Sequence, residues 1–205
     1  MQSWNFPGRT QAGIEFDGKH LLIGDNVATR PIHIHNKNAA LTHIADVTFP
    51  VLTPWFTDMT FDGKRLWIID SSGVAFIAQL NFPPFQAGLP ECIKTIPRDQ
   101  AWGIFGLTFD GKHLITEQSG VISWLNPQTD TYIDQFWQGV PAGPCCFDGK
   151  YYWGCDGGNN LIRCYNLASR IQVTTFAFTA PTGIAFDGKY LWIIDTTNVY
   201  CVEKS

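Results

Sequence analysis

Two carboxylates, Asp58 and Glu117, stand where a repeated sequence departs from its own pattern. Asp58 occupies a position that is Gly or Pro in the four sister copies, and Glu117 precedes Gln118 where the other copies have Asp. A carboxylate placed where its neighbours have small or apolar residues costs desolvation free energy unless water, a partner or a ligand meets it. Such a group can serve as a general acid or base, with or without a divalent metal ion. If the chain is an enzyme, we predict Glu117 or Asp58 as its acid or base.

A wider set of polar and aromatic residues could bind a ligand. One Asp follows most repeats at the same offset, so a ring of carboxylates could hold a cation or a polyhydroxylated ligand, although their repetition favours the alternative that each caps its own turn. Glu15 shares its register with Asp58 and is expected to point toward a central channel, where ordered water would also satisfy it. Trp55 and Trp102 could form aromatic walls. The ligand-binding candidates are Trp55, Trp102, Gln118, Asp25, Asp70, Asp156, Asp195 and Glu15.

His33 and His35 are two residues apart on a predicted strand, so both side chains point to one side, as in some metal sites. A lone His-x-His pair without further ligands is a weak metal signal, and an exposed outer-strand position explains the pair without a metal. No metal ligand is therefore predicted, although a divalent metal ion in the central channel stays open. The chain has no nucleophile elbow, zinc-protease helix motif or phosphate-binding glycine loop, so covalent serine catalysis and nucleotide chemistry are not supported.

The element that must position these residues is a tetrapeptide, Phe-Asp-Gly-Lys, which occurs five times. The copies begin at Phe16, Phe61, Phe109, Phe147 and Phe186. Each Asp-Gly pair lies between two short runs of aliphatic and aromatic residues, which is a strong signal for a hairpin with a two-residue turn. Each copy therefore predicts a strand, a tight turn and a second strand.

Further apolar runs follow each hairpin. Third strands are predicted at 31–35, 74–78, 121–125, 161–165 and 199–202, and fourth strands at 43–49, 91–96, 131–137 and 171–178. Four strands in each repeat of about 40 residues are typical of a β-propeller. The fifth repeat stops after its third strand, so we expect residues 2–6 to complete it. The sequence thus predicts an all-β chain whose residues 1–205 form one five-bladed propeller with four-stranded blades, closed by the N-terminal strand.

The two faces of such a ring differ in sequence. The Phe-Asp-Gly-Lys turns share one face, and the loops on the opposite face vary in length and composition. Because binding residues concentrate on loops that a rigid scaffold positions, we expect one asymmetric site on the opposite face. The leading hypothesis is a propeller that binds a small polar ligand or a glycan there. The alternatives are a lyase or cyclotransferase at the same place and a protein-interaction scaffold.

The composition limits the classes of binding partner that we expect. The formal net charge is −4 and no run of Lys or Arg occurs, so nucleic acids and anionic membrane surfaces are not expected as partners. A small polar molecule, a glycan or a peptide is expected instead, together with a monomeric state. The six cysteines match neither a metal knuckle nor a disulfide scaffold and are interpreted as reduced, buried residues. Without a visible signal peptide we predict a cytoplasmic protein, the alternative being a secreted mature form.

The repeats resemble the superfamily of short-repeat propellers that includes the NHL, YVTN and virginiamycin B lyase groups. That resemblance spans the chain and implies architecture more than activity. One stretch is closer to a particular family. Phe105-Gly106-Leu107, continuing to Glu117-Gln118-Ser119-Gly120, resembles the Gln-Gly-Leu and Glu-Ser-Thr-Gly pattern of plant-type glutaminyl cyclases. The resemblance implies that Glu117 transfers protons while an N-terminal Gln cyclises, but this chain has Gln118 and Ser119 where the family has Ser and Thr.

Overall fold

The structure is a computed structural model of the 205-residue chain. It describes residues 1–6, 11–26, 31–48, 56–70, 76–80, 92–97, 104–139 and 143–204. Within these segments every regular element is a β-strand. No helix in the same segments has the length and apolar character needed to cross a membrane. The prediction of an all-β fold is confirmed.

The described strands form five antiparallel sheets of four strands. The first sheet contains β2 (Gln11–Phe16), β3 (His20–Asp25), β4 (Pro31–Asn36) and β5 (His43–Thr48). The second contains β6 (Phe56–Phe61), β7 (Leu66–Asp70), β8 (Phe76–Leu80) and β9 (Cys92–Pro97). The third contains β10 (Gly106–Phe109), β11 (Leu114–Gln118), β12 (Val121–Asn126) and β13 (Thr131–Trp137). These bounds agree with the predicted runs to within a few residues.

The fourth sheet contains β14 (Cys145–Phe147), β15 (Tyr152–Asp156), β16 (Leu161–Asn166) and β17 (Ile171–Ala177). The fifth contains β18 (Gly183–Phe186), β19 (Tyr190–Ile194), β20 (Asn198–Glu203) and, as its outermost strand, β1 (Gln2–Asn5). The N-terminal strand thus joins the last sheet. Trp4 stacks on Trp192 of that sheet with 5.4 Å between ring centroids, and its indole donates to the carbonyl of Ala39 in the first sheet at 2.8 Å.

The Phe-Asp-Gly-Lys turns have one geometry in all five copies. In the first copy, Asp17 and His20 are the flanking pair, joined by a bond from the Asp17 N–H to the His20 carbonyl, so Gly18 and Lys19 form the tip. The predicted turn is therefore displaced by one residue, because Asp17 caps the turn instead of lying in it. Its Oδ1 accepts from the Lys19 and His20 N–H groups at 2.8 and 2.6 Å. Gly18 has a φ of 93°, a conformation that favours glycine.

The second oxygen of the motif aspartate ties the turn to its surroundings. In three copies it accepts from a tryptophan indole of the following strand, in the pairs Asp62–Trp67, Asp148–Trp153 and Asp187–Trp192. Lysines of the next sheet reach two of these carboxylates: Lys37 bonds Asp187 at 3.0 Å and Lys204 bonds Asp148 at 2.7 Å. The motif therefore also fastens neighbouring sheets together.

The hydrophobic core lies between the sheets. Its five clusters of buried side chains each join two neighbouring sheets, in the order first to second, second to third, third to fourth, fourth to fifth and fifth back to first. The leading strands of the sheets contact one another in the same cyclic order, from β2 through β6, β10, β14 and β18 to β2. Sheets packed face to face around a common axis are the arrangement of a β-propeller, as the sequence predicted.

Candidate functional site

Two of the leading strands pack so closely against their neighbours that a key position on each has no room for a side chain. A Cβ on Gly183 would lie 2.8 Å from side-chain atoms of Ile194 and 3.1 Å from the Cα of Gly13. A Cβ on Gly106 would lie 2.5 Å from the carbonyl oxygen of Gly143. Glycine is therefore required at these positions by close packing, as expected from the repeat.

Asp58 is the exception, because at the corresponding position of its leading strand it has a side chain, which lies at the axis. Its side chain is fully buried, and its Oδ2 accepts from the backbone N–H groups of Leu107 and Cys145, each at 2.9 Å. Those residues lie on β10 and β14, which are edge strands of the third and fourth sheets, so N–H groups on their outer edges have no strand partner. A side chain of the second sheet thus joins the backbones of the next two sheets.

The ionisation of Asp58 is strongly disfavoured. Burial raises the pKa of this carboxyl well above its usual range, and the nearby charge of Glu15 raises it further. The hydrogen bonds from the backbone of Leu107, Cys145 and Met59 lower the pKa but do not offset the effect of burial. The Oδ1 atom has no hydrogen-bond partner in the described part of the chain. We conclude that Asp58 is held toward its neutral, protonated form and that its first role is structural.

Glu15 lies on β2 beside the turn of its own sheet and is partly exposed. Burial raises the pKa of its carboxyl to about 7, opposed by hydrogen bonds from the Phe16 N–H, the Thr60 hydroxyl and the Phe61 N–H. Its Oε1 accepts from Phe16 at 2.7 Å. A carboxyl that titrates near neutral pH can exchange protons in either direction.

Glu117 is fully buried near the end of β11, directly opposite Gly106 in the β10–β11 ladder. Its Oε1 accepts from the Gly120 N–H at 2.8 Å, across a turn in which Ser119 and Gly120 have φ values of 47° and 88°. The two halves of the motif singled out from the sequence, around Gly106 and around Glu117, are therefore adjacent strands of one hairpin.

Cys145 and Tyr152 complete a buried polar cluster that sequence reasoning missed. Burial raises the pKa of the Cys145 thiol well above its usual range, and the proximity of the Asp58 and Glu117 carboxyl groups raises it further. Burial also raises the pKa of the Tyr152 hydroxyl well above its usual range, and the proximity of Cys145 and Glu117 adds to this effect. A thiol kept neutral is a poor nucleophile, so the cluster favours proton transfer over covalent catalysis. The five cysteine side chains that the structure describes are all free.

Three of the predicted ring aspartates, Asp25, Asp156 and Asp195, have polar partners within their own sheets. Asp25 lies beside His33 at 3.3 Å, and Asp156 pairs with Arg163 and accepts from the Asn159 N–H. Asp195 accepts from the N–H groups of Thr197 and Asn198, both at 2.7 Å, and from the Tyr200 hydroxyl. The contacts of Asp156 and Asp195 favour the capping interpretation for these two residues. Binding of a ligand by the aspartates stays a prediction.

Four further candidate residues and the histidine pair can be assigned an outcome. Trp55 and Trp102 lie outside the described residues, so their role as aromatic walls stays a prediction. Asp70 ends β7, but its side chain also lies outside what the structure describes. Gln118 is partly exposed at the end of β11.

The expected exposure of the histidine pair was wrong. His33 and His35 are buried, because β4 is an inner strand of its sheet and neighbouring side chains cover it.

Comparisons with known proteins find the fold but no family. No protein-family model matches the chain, and no curated protein matches it. Among solved structures, the chain is similar to glutaminyl cyclase from Myxococcus xanthus, with a TM-score of 0.73 and 11% identity over 100% of this chain and 96% of that one. Identity this low shows a shared fold alone.

Two other solved structures are also similar. One is a protein of unknown function from Bacteroides thetaiotaomicron, with a TM-score of 0.62 and 12% identity over 98% of this chain and 72% of that one. The other is a chain of a nidogen/laminin complex, with a TM-score of 0.60 and 14% identity over 87% of this chain and 85% of that one. An enzyme and a chain of a protein complex therefore share this architecture, so the fold alone does not indicate the function.

Proposed function

We propose that the chain is a cyclotransferase that converts an N-terminal glutamine of a peptide to a lactam, with Glu117 as the proton-transferring group. The observation that carries the proposal is the position of Glu117, which lies directly opposite Gly106 in the β10–β11 ladder. Because Gly106 has no side chain, the buried carboxylate of Glu117 lies against bare backbone. The likeness to glutaminyl cyclase over nearly the full length of both chains supports it.

The reaction needs only proton transfer from the protein. The α-amine of the glutamine attacks its own side-chain amide carbon, the new C–N bond closes a five-membered ring, and ammonia leaves. Glu117 would take the proton from the attacking nitrogen and return it to the leaving nitrogen. A positioned carboxyl group of this kind contributes about 10²- to 10⁴-fold to a rate. Because Glu117 is fully buried, the proposal requires that peptide binding expose it.

The test is ammonia release from a Gln-initiated peptide, with mass spectrometry of the product. Glu117→Gln keeps the shape of the side chain and should abolish turnover, whereas Glu203→Gln, the same change at an exposed position, should not. Equal activity of Glu117→Gln and the wild type would refute the role of Glu117, and no release by the wild type would refute the reaction.

A protein-interaction scaffold is the second candidate, because apolar side chains are exposed on the outermost strands of two neighbouring sheets. Trp137 on β13 is 73% exposed, and the other members are Tyr132, Ile133, Ile171 and Val173. Arg170 pairs with Asp134 and lies over the Phe136 ring, so the two strands form one continuous surface. Large exposed patches of this kind often mark interaction sites. Specific capture of a protein that Trp137→Ala abolishes, without turnover of Gln peptides, would favour this function.

Binding of a small polar ligand or a glycan at one asymmetric site, on the face opposite the Phe-Asp-Gly-Lys turns, is retained as a third proposal. It depends on Trp55 and Trp102, whose loops lie outside the described residues. Saturable binding of a sugar or amide that leaves the ligand unchanged would distinguish it from the cyclotransferase.

We also propose that the five sheets are the five blades of one closed ring, with residues 1–205 as a single domain. The support is the cyclic order of the core clusters and of the leading strands. Any site at the axis would then be shared by all repeats, and a departure such as Asp58 would make that site asymmetric.

A further inference from the structure

His33, His43 and Asp46 bring three metal-binding side chains together on the outer half of the first sheet. His33 lies on β4, and the other two residues lie on β5. One nitrogen from each imidazole and one carboxylate oxygen all lie within 4.8 Å of one another. His33 is buried, while the side chains of His43 and Asp46 are 43% and 50% exposed. An ion held there would be anchored on one side and open to water on the other.

A β-bulge creates this arrangement. His43 and Asp46 are three residues apart, so on a regular strand their side chains would point to opposite faces. The β4–β5 register shifts between Ile34 and His35, and Ile44 is the extra residue. The shift turns His43 to the face of Asp46, which pairs across the sheet with His33.

The existing hydrogen bonds show where an ion would fit. Asp46 Oδ1 lies 2.5 Å from His33 Nδ1 and 2.7 Å from His43 Nε2. Zinc binds imidazole and carboxylate at about 2.0–2.2 Å in tetrahedral geometry, which separates neighbouring ligand atoms by roughly 3.4 Å. The Asp46 oxygen would have to move away from each of these nitrogens by less than about 1 Å to take the ion in place of a proton, and the two imidazole nitrogens, which lie within 4.8 Å of each other, would need a separation of about 3.4 Å. The exposed side chains of His43 and Asp46 can make that adjustment.

Asp25 supplies a second carboxylate behind the cluster. Its Oδ2 lies 3.3 Å from His33 Nε2, the ring nitrogen that faces away from Asp46. A carboxylate on the far nitrogen fixes the ring orientation and raises the basicity of a metal-binding histidine. The charges of Asp25 and Asp46 together balance those of a divalent ion.

Other repeats have different residues at the positions that correspond to His33, His43 and Asp46. In the fourth sheet the register places Arg163, Gln172 and Thr175 where the first sheet has His33, His43 and Asp46. Arg163 donates to Asp156 at 2.7 Å and to Gln172 at 3.0 Å. The positive charge of its guanidinium group therefore lies between Asp156 and Gln172, in place of an ion. In the third sheet the corresponding residues are Ser123, Tyr132 and Gln135. The replacement of all three by metal-ligating residues in the first sheet is a further departure from the repeat.

We propose that His33, His43 and Asp46 bind one divalent transition-metal ion of the zinc class, with water in the remaining position and Asp25 orienting His33. Two imidazoles with one carboxylate and an open position suit zinc and its neighbours better than calcium or magnesium, which prefer oxygen ligands. The site lies away from Glu117 and does not depend on the cyclotransferase proposal.

The test is calorimetric titration of the chelator-treated full-length protein with Zn²⁺, and with Ca²⁺ as a control. We expect one zinc ion per chain, an affinity at least tenfold lower in His43→Gln and in Asp46→Asn, and a loss of about 10- to 100-fold in Asp25→Asn. His113→Gln is the matched control, because His113 also contacts an aspartate three residues away, at 3.3 Å, but has no further ligand in the described residues. It should bind zinc as the wild type does.

Cobalt distinguishes this site from the cysteines. Co²⁺ bound by His33, His43 and Asp46 should show visible d–d absorption without a thiolate charge-transfer band, and zinc should raise the melting temperature of the wild type but not of His43→Gln. His43 and Asp46 are exposed enough that their variants should fold without metal. Absence of saturable zinc binding, binding that both variants retain, or a thiolate band would overturn the proposal.

Discussion

The carboxylate of Asp58 accepts a hydrogen bond from the backbone N–H of Cys145 at 2.9 Å, although the two residues belong to different sheets. The same oxygen accepts from Leu107 in a third sheet. One side chain at the axis therefore joins three sheets, and these hydrogen bonds explain why an aspartate is tolerated where the other repeats have Gly or Pro.

Removing this carboxylate should destabilise the protein. Asp58→Ala leaves two buried N–H groups without an acceptor, and at about 1–3 kcal/mol each the expected loss of unfolding free energy is about 2–6 kcal/mol. Asp58→Asn keeps an acceptor oxygen and mimics the protonated acid, so it should cost less than about 1 kcal/mol. Urea denaturation at neutral pH measures both. Equal losses for the two variants would show that the hydrogen bonds are not what Asp58 contributes.

Glu15 should make stability depend on pH. Its pKa rises from 4.5 to about 7 on folding, so between these values the folded protein binds more protons than the unfolded chain. The free energy of unfolding should therefore fall as pH rises through this window, by an amount on the order of 2 kcal/mol because Glu15 keeps some solvent contact. Glu15→Gln should reduce this slope to the part that the buried Asp58 contributes through its own raised pKa, while the exposed Glu203→Gln should leave the slope unchanged. Denaturant titrations from pH 4.5 to 8 decide the matter, and an unchanged slope in Glu15→Gln would contradict the assignment.

The ion pair between Lys37 and Asp187 should stabilise the contact between the first and fifth sheets. The Asp187 side chain is fully buried and the Lys37 side chain is 34% exposed. Lys37→Met should lower the unfolding free energy by about 1 kcal/mol, because the pair is only partly shielded from water. Lys19→Met, which removes an exposed lysine from a turn of the repeat, should have no measurable effect. Equal effects of the two variants would contradict a role for the ion pair.

The same contact should weaken in acid. Although burial opposes it, hydrogen bonds from the Tyr190 N–H, the Trp192 indole and Lys37 hold the pKa of Asp187 below its ordinary value. The stabilisation is thus present above pH 4 or so and is lost as pH falls through the lower folded-state value. The destabilisation by Lys37→Met should shrink in that range.

Trp4 should be essential to the attachment of the N-terminal strand. It stacks on Trp192 and donates to Ala39, so it contacts both the last sheet and the first. Trp4→Ala should cost about 3 kcal/mol through lost packing and a lost hydrogen bond. Trp137→Ala is the control, because Trp137 is 73% exposed and its removal should change stability by less than about 0.5 kcal/mol. Thermal melts of the two variants should therefore differ clearly, and similar melting temperatures would contradict the role of Trp4.

The strands could be predicted from the sequence because the repeat marks them. Phe-Asp-Gly-Lys places a hairpin in every copy, and the apolar runs after it locate the remaining strands. The N-terminal strand could be assigned to the last sheet because that repeat lacks its fourth strand. What local pattern could not show was the position of Asp17 within its turn, since the capping bonds of its carboxylate displace the tip by one residue.

The contacts of the candidate site were less accessible to sequence reasoning. Asp58 was recognised as an exception, but its partners Leu107 and Cys145 are 49 and 87 residues away and meet it only through the packing of sheets. His43 and Asp46 carried no visible signal, because their spacing places them on opposite faces unless a bulge intervenes. An alignment of the repeats by strand register, and not by Phe-Asp-Gly-Lys alone, would have revealed that departure.

The proposed cyclisation of an N-terminal glutamine depends on proton transfer by Glu117. It is tested by comparing ammonia release from a Gln-initiated peptide by the wild type, Glu117→Gln and Glu203→Gln, with folding of all three checked by circular dichroism. We expect turnover by the wild type and Glu203→Gln and a loss of at least about 100-fold in Glu117→Gln. Absence of ammonia release by the folded wild type, or full activity in Glu117→Gln, would contradict it.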